Sequence, residues 1–344
     1  MYQEAPAPAA RDIAAVVACS ANYPDALSGS VLAGVSDGPL LLTPRTYLPE
    51  EVGDEILRLG VSRVYVVGGS DVVSDDVFSA IQDLNPGIGV YRVEGDDRAM
   101  TAVEVALQAK ADAVGYGEAF PTMAVVAFGW NFPDALAAAP LAAARNVPIL
   151  LTRTATLNED AEEALYHLGT TDVVIVGGPD VVGPAVEQRL KDILGSTHVL
   201  RLEGDTRYET AKVFASWACD LTGPGARGDA LVGTSASSAL LVRLDPWAFG
   251  IASGENFPDA LSGGVACGLV NRPLLLTKRA NPYGYITQEH DGSLPPGDTD
   301  WVGDYYSLYP TFPFGHGLVF GGPMAVDPTT MAIYDNSVML VSNP

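Results

Sequence analysis

Three aspartates recur in one setting. Asp25, Asp134 and Asp259 each stand three residues after an asparagine, Asn22, Asn131 or Asn256, in the string N-[YF]-P-D-A-L. Two arginines recur as well: Arg98 and Arg207 close the string G-D-x-R. These residue types can do limited chemistry. A carboxylate accepts hydrogen bonds from sugar hydroxyls, or holds a divalent cation that bridges to an anion. A guanidinium binds phosphate or carboxylate directly. Both motifs precede predicted helices, and helix N-termini at the carboxyl ends of parallel strands are ready ligand sites. Aspartates there would repel a bare phosphate. A structural reading explains the same residues. The asparagine caps the helix through its side chain, the proline fits the first turn, and the aspartate complements the helix dipole by about 0.3–1 kcal/mol. Each arginine then pairs with a nearby aspartate.

Catalytic groups are sparse. His167, His198, His290 and His316 occupy unrelated positions, and neither GxSxG nor HExxH occurs. Cys19, Cys219 and Cys267 share no CxxC spacing, which argues against zinc. The VVGG strings match neither common phosphate-loop pattern and read as turns. No cofactor and no metal are expected.

The spacing around these motifs shows how they are positioned. Asn22 and Asn131 lie 109 residues apart. From each motif asparagine to a threonine (Thr43, Thr152, Thr277) is 21 residues in all three cases. From Thr43 to Gly68 and from Thr152 to Gly177 is 25, and from those glycines to Glu94 and Glu203 is 26. The chain is therefore three copies of one unit, with expected bounds 12–120, 121–230 and 231–344. The third copy carries two loop-like insertions, at about 222–245 and 281–316. The second holds Tyr283, Tyr285, Trp301, Tyr305, Tyr306 and Tyr309. It is expected to cover an apolar gap or to meet a sugar or partner protein.

Each unit reads as alternating strand and helix. "IAAVVAC", "PLLLT", "VSRVYVVGG" and "VYRVEG" are short apolar runs and read as strands. "PEEVGDEILRLG", "SDDVFSAIQDL" and "DRAMTAVEVALQA" have helical spacing. The pattern predicts an α/β protein of three tandem Rossmann-like or Toprim-like units. Their sheets should be mostly parallel and covered on both faces, and the units arranged as a pseudo-three-fold trimer.

Bulk properties narrow the partners. The 344 residues are 48% hydrophobic and carry a net charge of −23. That charge disfavours nucleic acid and anionic membranes, and no run has the length of a membrane helix. The first residues, "MYQEAPAPAARD", lack the basic start and apolar stretch of a secretion signal.

The order G-D-x-R-x-x-T-A, N-F-P-D-A-L-A-A-A-P-L-A-A, P-I-L-L-T and V-G-G resembles cell wall binding repeat 2 across about residues 12–335. The resemblance implies three repeats on a secreted protein at the surface of a Gram-positive bacterium, with no catalysis of their own. It implies non-covalent anchoring to an anionic, teichoic-acid-like wall polymer, with other surface proteins as further partners. It also brings the proline–aliphatic strands into the ligand region: Pro39, Leu40, Leu41 and Leu42; Pro148, Ile149, Leu150 and Leu151; Pro273, Leu274, Leu275 and Leu276. From physics alone these leucines are core, so their role would be to shape a groove. The first copy lacks a preceding GDxR helix, and the sequence stops before the next one would begin. Two other functions fit the sequence. One is a nucleotide- or sugar-using α/β enzyme with its site at the NxPDAL helix starts. The other is a surface-layer scaffold.

Overall fold

The computed structural model describes residues 13–131, 134–219, 244–245, 248–278 and 318–321. Nearly all of both insertions in the third copy, including the aromatic one, lies outside the described residues. Within them, eleven strands form three separate sheets, and every pairing is parallel.

The first sheet has order β2-β1-β3-β4, from β1 (Ala14–Cys19), β2 (Leu40–Thr43), β3 (Arg63–Val67) and β4 (Gly89–Val93). The second repeats it as β6-β5-β7-β8, from β5 (Met123–Phe128), β6 (Ile149–Thr152), β7 (Asp172–Val176) and β8 (Val199–Leu202). The third has order β10-β9-β11, from β9 (Gly250–Ser253), β10 (Leu274–Thr277) and β11 (Leu318–Val319). Register repeats with the sequence: Cys19 pairs with Thr43, Phe128 with Thr152 and Ser253 with Thr277. The proline–aliphatic motif opens the second strand each time. Pro39, Pro148 and Pro273 have no N–H to give, and their carbonyls accept from Val16, Val125 and Gly250 at 2.8–2.9 Å.

Alternate residues of each strand serve different cores, as the two-residue period requires. In β1, Ala15, Val17 and Cys19 face an outer layer with Ile56 of α2 (Glu50–Leu59) and Val77 and Ile81 of α3 (Asp75–Leu84). The second sheet has the same outer layer, from α6 (Glu159–Leu168) and α7 (Pro184–Leu194). The other set, Ala14, Val16 and Ala18, belongs to a central core that also takes in residues of both other sheets. Three NxPDAL helices fill it: α1 (Tyr23–Val35), α5 (Ala139–Arg145) and α9 (Pro258–Leu269), each packed on the other two.

These helices are built to meet closely. Every residue of α1 is buried, and beyond Tyr23 and Asp25 all of them are apolar or small. A Cβ placed on Gly34 would fall 2.1 Å from the Ala143 carbonyl oxygen, and one on Gly268 2.5 Å from that of Pro140. No side chain fits at either position.

The second helix departs from a plain NxPDAL helix. Ala135–Ala138 form a 3₁₀ turn, and the α-helix starts only at Ala139. Pro140 explains the break. It has no N–H to bond the carbonyl four residues back, but it is well placed in a first turn.

The GDxR helices, α4 (Arg98–Gly115) and α8 (Arg207–Ala218), reach across units. Helix α4 packs on α1 of its own copy and on β6 and α6 of the next; α8 packs on β10. No described helix is long and apolar enough to cross a membrane.

Candidate functional site

The motif residues meet where one unit joins the next, at the carboxyl ends of the strands. At the first joint, Arg98 heads α4 and donates from Nη1 to the Gly129 carbonyl at 2.7 Å. The Tyr23 hydroxyl donates to the same oxygen at 2.9 Å. Tyr23 also meets Phe257 of the third copy edge to face, with centroids 5.8 Å apart. At the second joint, Arg207 Nη1 donates to the Gly254 carbonyl at 2.6 Å. The arginine stem lies against the glycine in both places, beside the last leucine of the next unit's strand motif. Arg98 and Leu151 flank Gly129, and Arg207 and Leu276 flank Gly254.

Both GDxR helices have a side-chain cap of their own. Asp97 accepts from Ala99 N and Met100 N at 2.8 and 3.0 Å, and Thr206 accepts from Glu209 N at 3.2 Å. The arginines are thereby held at the first helical position and reach over the neighbouring strand end.

Asp25 and Asp134 face the glycine-pair turns of their own units, VVGG in the first and IVGG in the second. Gly68 and Gly177 sit at φ +104° and +106°, where a side chain is strained. A Cβ there would also come within 2.6 Å of Asp25 Oδ2 or 3.0 Å of Asp134 Oδ2. Asp25 is only 4% exposed. Burial pushes its carboxyl up to about 6, against the opposing pull of Arg98. Burial raises Asp134 too, opposed by a hydrogen bond from Thr210 and by the charge of Arg207. Asp259 is half-buried at the third helix start.

The structure corrects one local expectation. Asn22 occupies the N-cap of α1 in extended conformation, but its side chain makes no capping hydrogen bond. Asn131 and Asn256 are exposed, and the Asn256 side chain accepts only from the adjacent Phe257 N–H at 3.1 Å. Each asparagine stands at the strand end, in or beside the joint.

The proline–aliphatic residues divide by position. Ile149, Leu150 and Leu151 are buried, as are Leu274, Leu275 and Leu276; Leu40 is buried, and Leu41 and Leu42 are half-buried. Any part they take in binding is to shape the joint.

Arg92 and Arg201 were not singled out by sequence reasoning. Arg92 Nη1 donates to the Gly68 and Val73 carbonyls, both at 2.8 Å. Arg201 donates to those of Gly177 and Val182 at 2.6 and 2.8 Å. Each clips a glycine-pair turn in place from the neighbouring strand. The signal was present: both stand at the same place in the 109-residue period, as the polar residue of an otherwise apolar strand.

Among the described residues, no three His, Cys, Asp or Glu side chains gather to hold a metal ion. The two described histidines bond elsewhere, His167 with Glu163 and His198 with Asp172.

The first joint makes a stability prediction. Arg98→Ala should lower stability by about 2 kcal/mol, because it removes a charged hydrogen bond and the counter-charge of buried Asp25. Arg207→Ala should cost less, because Asp134 is less buried and retains Thr210. Thermal melts of the two variants at pH 7 check the ranking.

A family model described as Cell wall binding domain 2 (CWB2) matches residues 3–78, 92–187 and 201–331. Among curated proteins, N-acetylmuramoyl-L-alanine amidase LytC of Bacillus subtilis (strain 168) is 26% identical over 267 residues. That alignment covers 78% of this chain and 46% of LytC. The amidase enhancer of the same organism is 31% identical over 185 residues, covering 54% of this chain and 23% of the enhancer. Among solved structures, Cwp8 from Clostridium difficile superposes with a TM-score of 0.68 at 23% identity, over 97% of this chain and 48% of Cwp8. The chain thus spans less than half the length of each of these relatives.

Proposed function

This chain belongs to the cell wall binding domain 2 family, and from that premise we propose that it is a non-catalytic module anchoring its owner to the cell wall. Its ligand on this reading is an anionic secondary wall polymer, held without a covalent bond at the surface of a Gram-positive bacterium. The observation that carries the reading is the repeated joint. Asp25–Arg98–Gly129 and Asp134–Arg207–Gly254 place a guanidinium and a strand-end loop together twice, at the ligand-prone ends of parallel sheets. An enzyme specialises one site; a binder to a repeating polymer gains from several. The relatives support the reading. One is named an amidase and one an enhancer of amidase, and each shares with this chain only part of its length.

Co-sedimentation with purified cell walls provides the test. The protein should pellet with intact walls and stay in solution once acid has extracted the secondary polymers. Retention on the stripped peptidoglycan would contradict the polymer reading.

A further inference from the structure

The joints share their motifs but differ in what surrounds them. At the first joint, Trp130 follows Gly129, and two guanidinium groups lie over its ring. The Arg98 carbon is 5.2 Å from the ring centroid and that of Arg153 4.4 Å. The two cationic carbons therefore lie within about 10 Å of each other. Arg153 is exposed at the end of β6, and among the described residues it forms no ion pair. On a chain of net charge −23, an unpaired exposed arginine beside a second arginine is a local exception. The indole face holds both guanidinium groups close; Arg98 commits Nη1 to the Gly129 carbonyl, and its remaining N–H groups and those of exposed Arg153 are left to meet an anion. That is the geometry that grips a phosphate or carboxylate with two bonds.

The equivalent places in the other copies have changed. In the third copy, Glu255 stands where Trp130 does and Lys278 where Arg153 does. Glu255, Arg207 and Lys278 all act on the Tyr208 hydroxyl, so an acid sits among the cations of the second joint. In the first copy the same places hold Ala21 and Pro44, with no charge and no aromatic ring.

We propose that Arg98, Trp130 and Arg153 form an oxyanion site that takes a phosphodiester or carboxylate group of the wall polymer, and that this joint supplies most of the chain's affinity. The proposal rests on the polymer-binding reading above. It narrows that reading from several equal joints to one dominant joint.

Titration calorimetry at low ionic strength, with purified teichoic acid in one arm and polyglucuronate in the other, tests it on the whole chain. The teichoic acid arm supplies phosphodiesters and the polyglucuronate arm carboxylates, so the tighter arm identifies the group. Arg153→Ala should weaken the tighter arm about tenfold, and Arg153→Glu more. Arg153 is exposed, so both variants should fold and melt like the parent. Arg58→Ala removes the same charge from the outer helix α2 and should stay within about twofold of the parent. Trp130→Phe should remove the fluorescence change that accompanies binding. If the parent binds walls while Arg153→Ala binds both polymers as tightly as the parent, this site is wrong and the wall-binding reading stands. If Lys278→Ala loses as much as Arg153→Ala, the single dominant joint is overturned. If the parent is not retained by walls at all, both fall together.

Discussion

Gly34→Ala is expected to lower the melting temperature by about 5–10 °C, more than a surface substitution would. Its Cβ has nowhere to go. The nearest atom is the Ala143 carbonyl oxygen at 2.1 Å, with the Ala143 Cα at 2.5 Å. Backbone cannot rotate away as a side chain can, so α1 and α5 must separate. That opens the central core shared by the three sheets, and overpacking of this kind costs about 1–3 kcal/mol or more. Gly268→Ala meets the Pro140 carbonyl oxygen at 2.5 Å and should behave alike. Gly60→Ala is the comparison. Gly60 has φ +61° with nothing near its Cβ position, so the substitution there adds only backbone strain of about 1 kcal/mol. If Gly34→Ala melts like Gly60→Ala, the close approach of the helices is wrong.

Much of this architecture was legible in the sequence. The 109-residue period and the alternation of apolar runs with helical spacing gave the units, the parallel sheets and the order of elements. The small residues in and after NxPDAL, Ala26, Ser28, Gly29 and Gly34 in the first copy, suit a helix that approaches another element closely. What it approaches was not legible: the partner of Gly34 is 109 residues away, and period arithmetic does not report tertiary contact. The same gap hid the arginines' partners. Sequence reasoning offered Arg98 an aspartate, and Asp25 does act on it. Its hydrogen bond, however, goes to a backbone carbonyl of the following copy, and no residue type can announce a carbonyl. Trp130 escaped notice for another reason. Repeats draw attention to what they share, and Trp130, Glu255 and Ala21 share a position but no chemistry.

The buried aspartate sets the other large expectation: its own contribution should stabilise the protein as pH falls from about 7 towards 4, while Glu187, held down despite burial by Lys191 and Arg201, acts the other way. Asp25 has its folded value raised to about 6, above the ordinary 3.8. A raised group contributes stability that is fully present below its unfolded value and is lost as pH rises through its folded value. At roughly 1.4 kcal/mol per unit, the difference amounts to about 3 kcal/mol. Asp134 is raised by the same cause and adds in the same direction. Relief of self-repulsion in a chain of net charge −23 acts the same way. Asp25→Asn isolates the residue. The variant should melt above the parent at pH 8 and match it near pH 4, where the parent's carboxyl is itself neutral. A parent more stable than the variant at pH 8 would show that Arg98 outweighs the burial, making the pair an ordinary structural ion pair. The expected outcome has a consequence for function. In the first two copies this carboxylate is held against a glycine turn where burial disfavours its charge, and the helix dipole and the neighbouring arginine offset only part of that cost. Asparagine would fill the space and keep the helix start. On the wall-binding proposal, a charge kept at that cost is one the ligand would use.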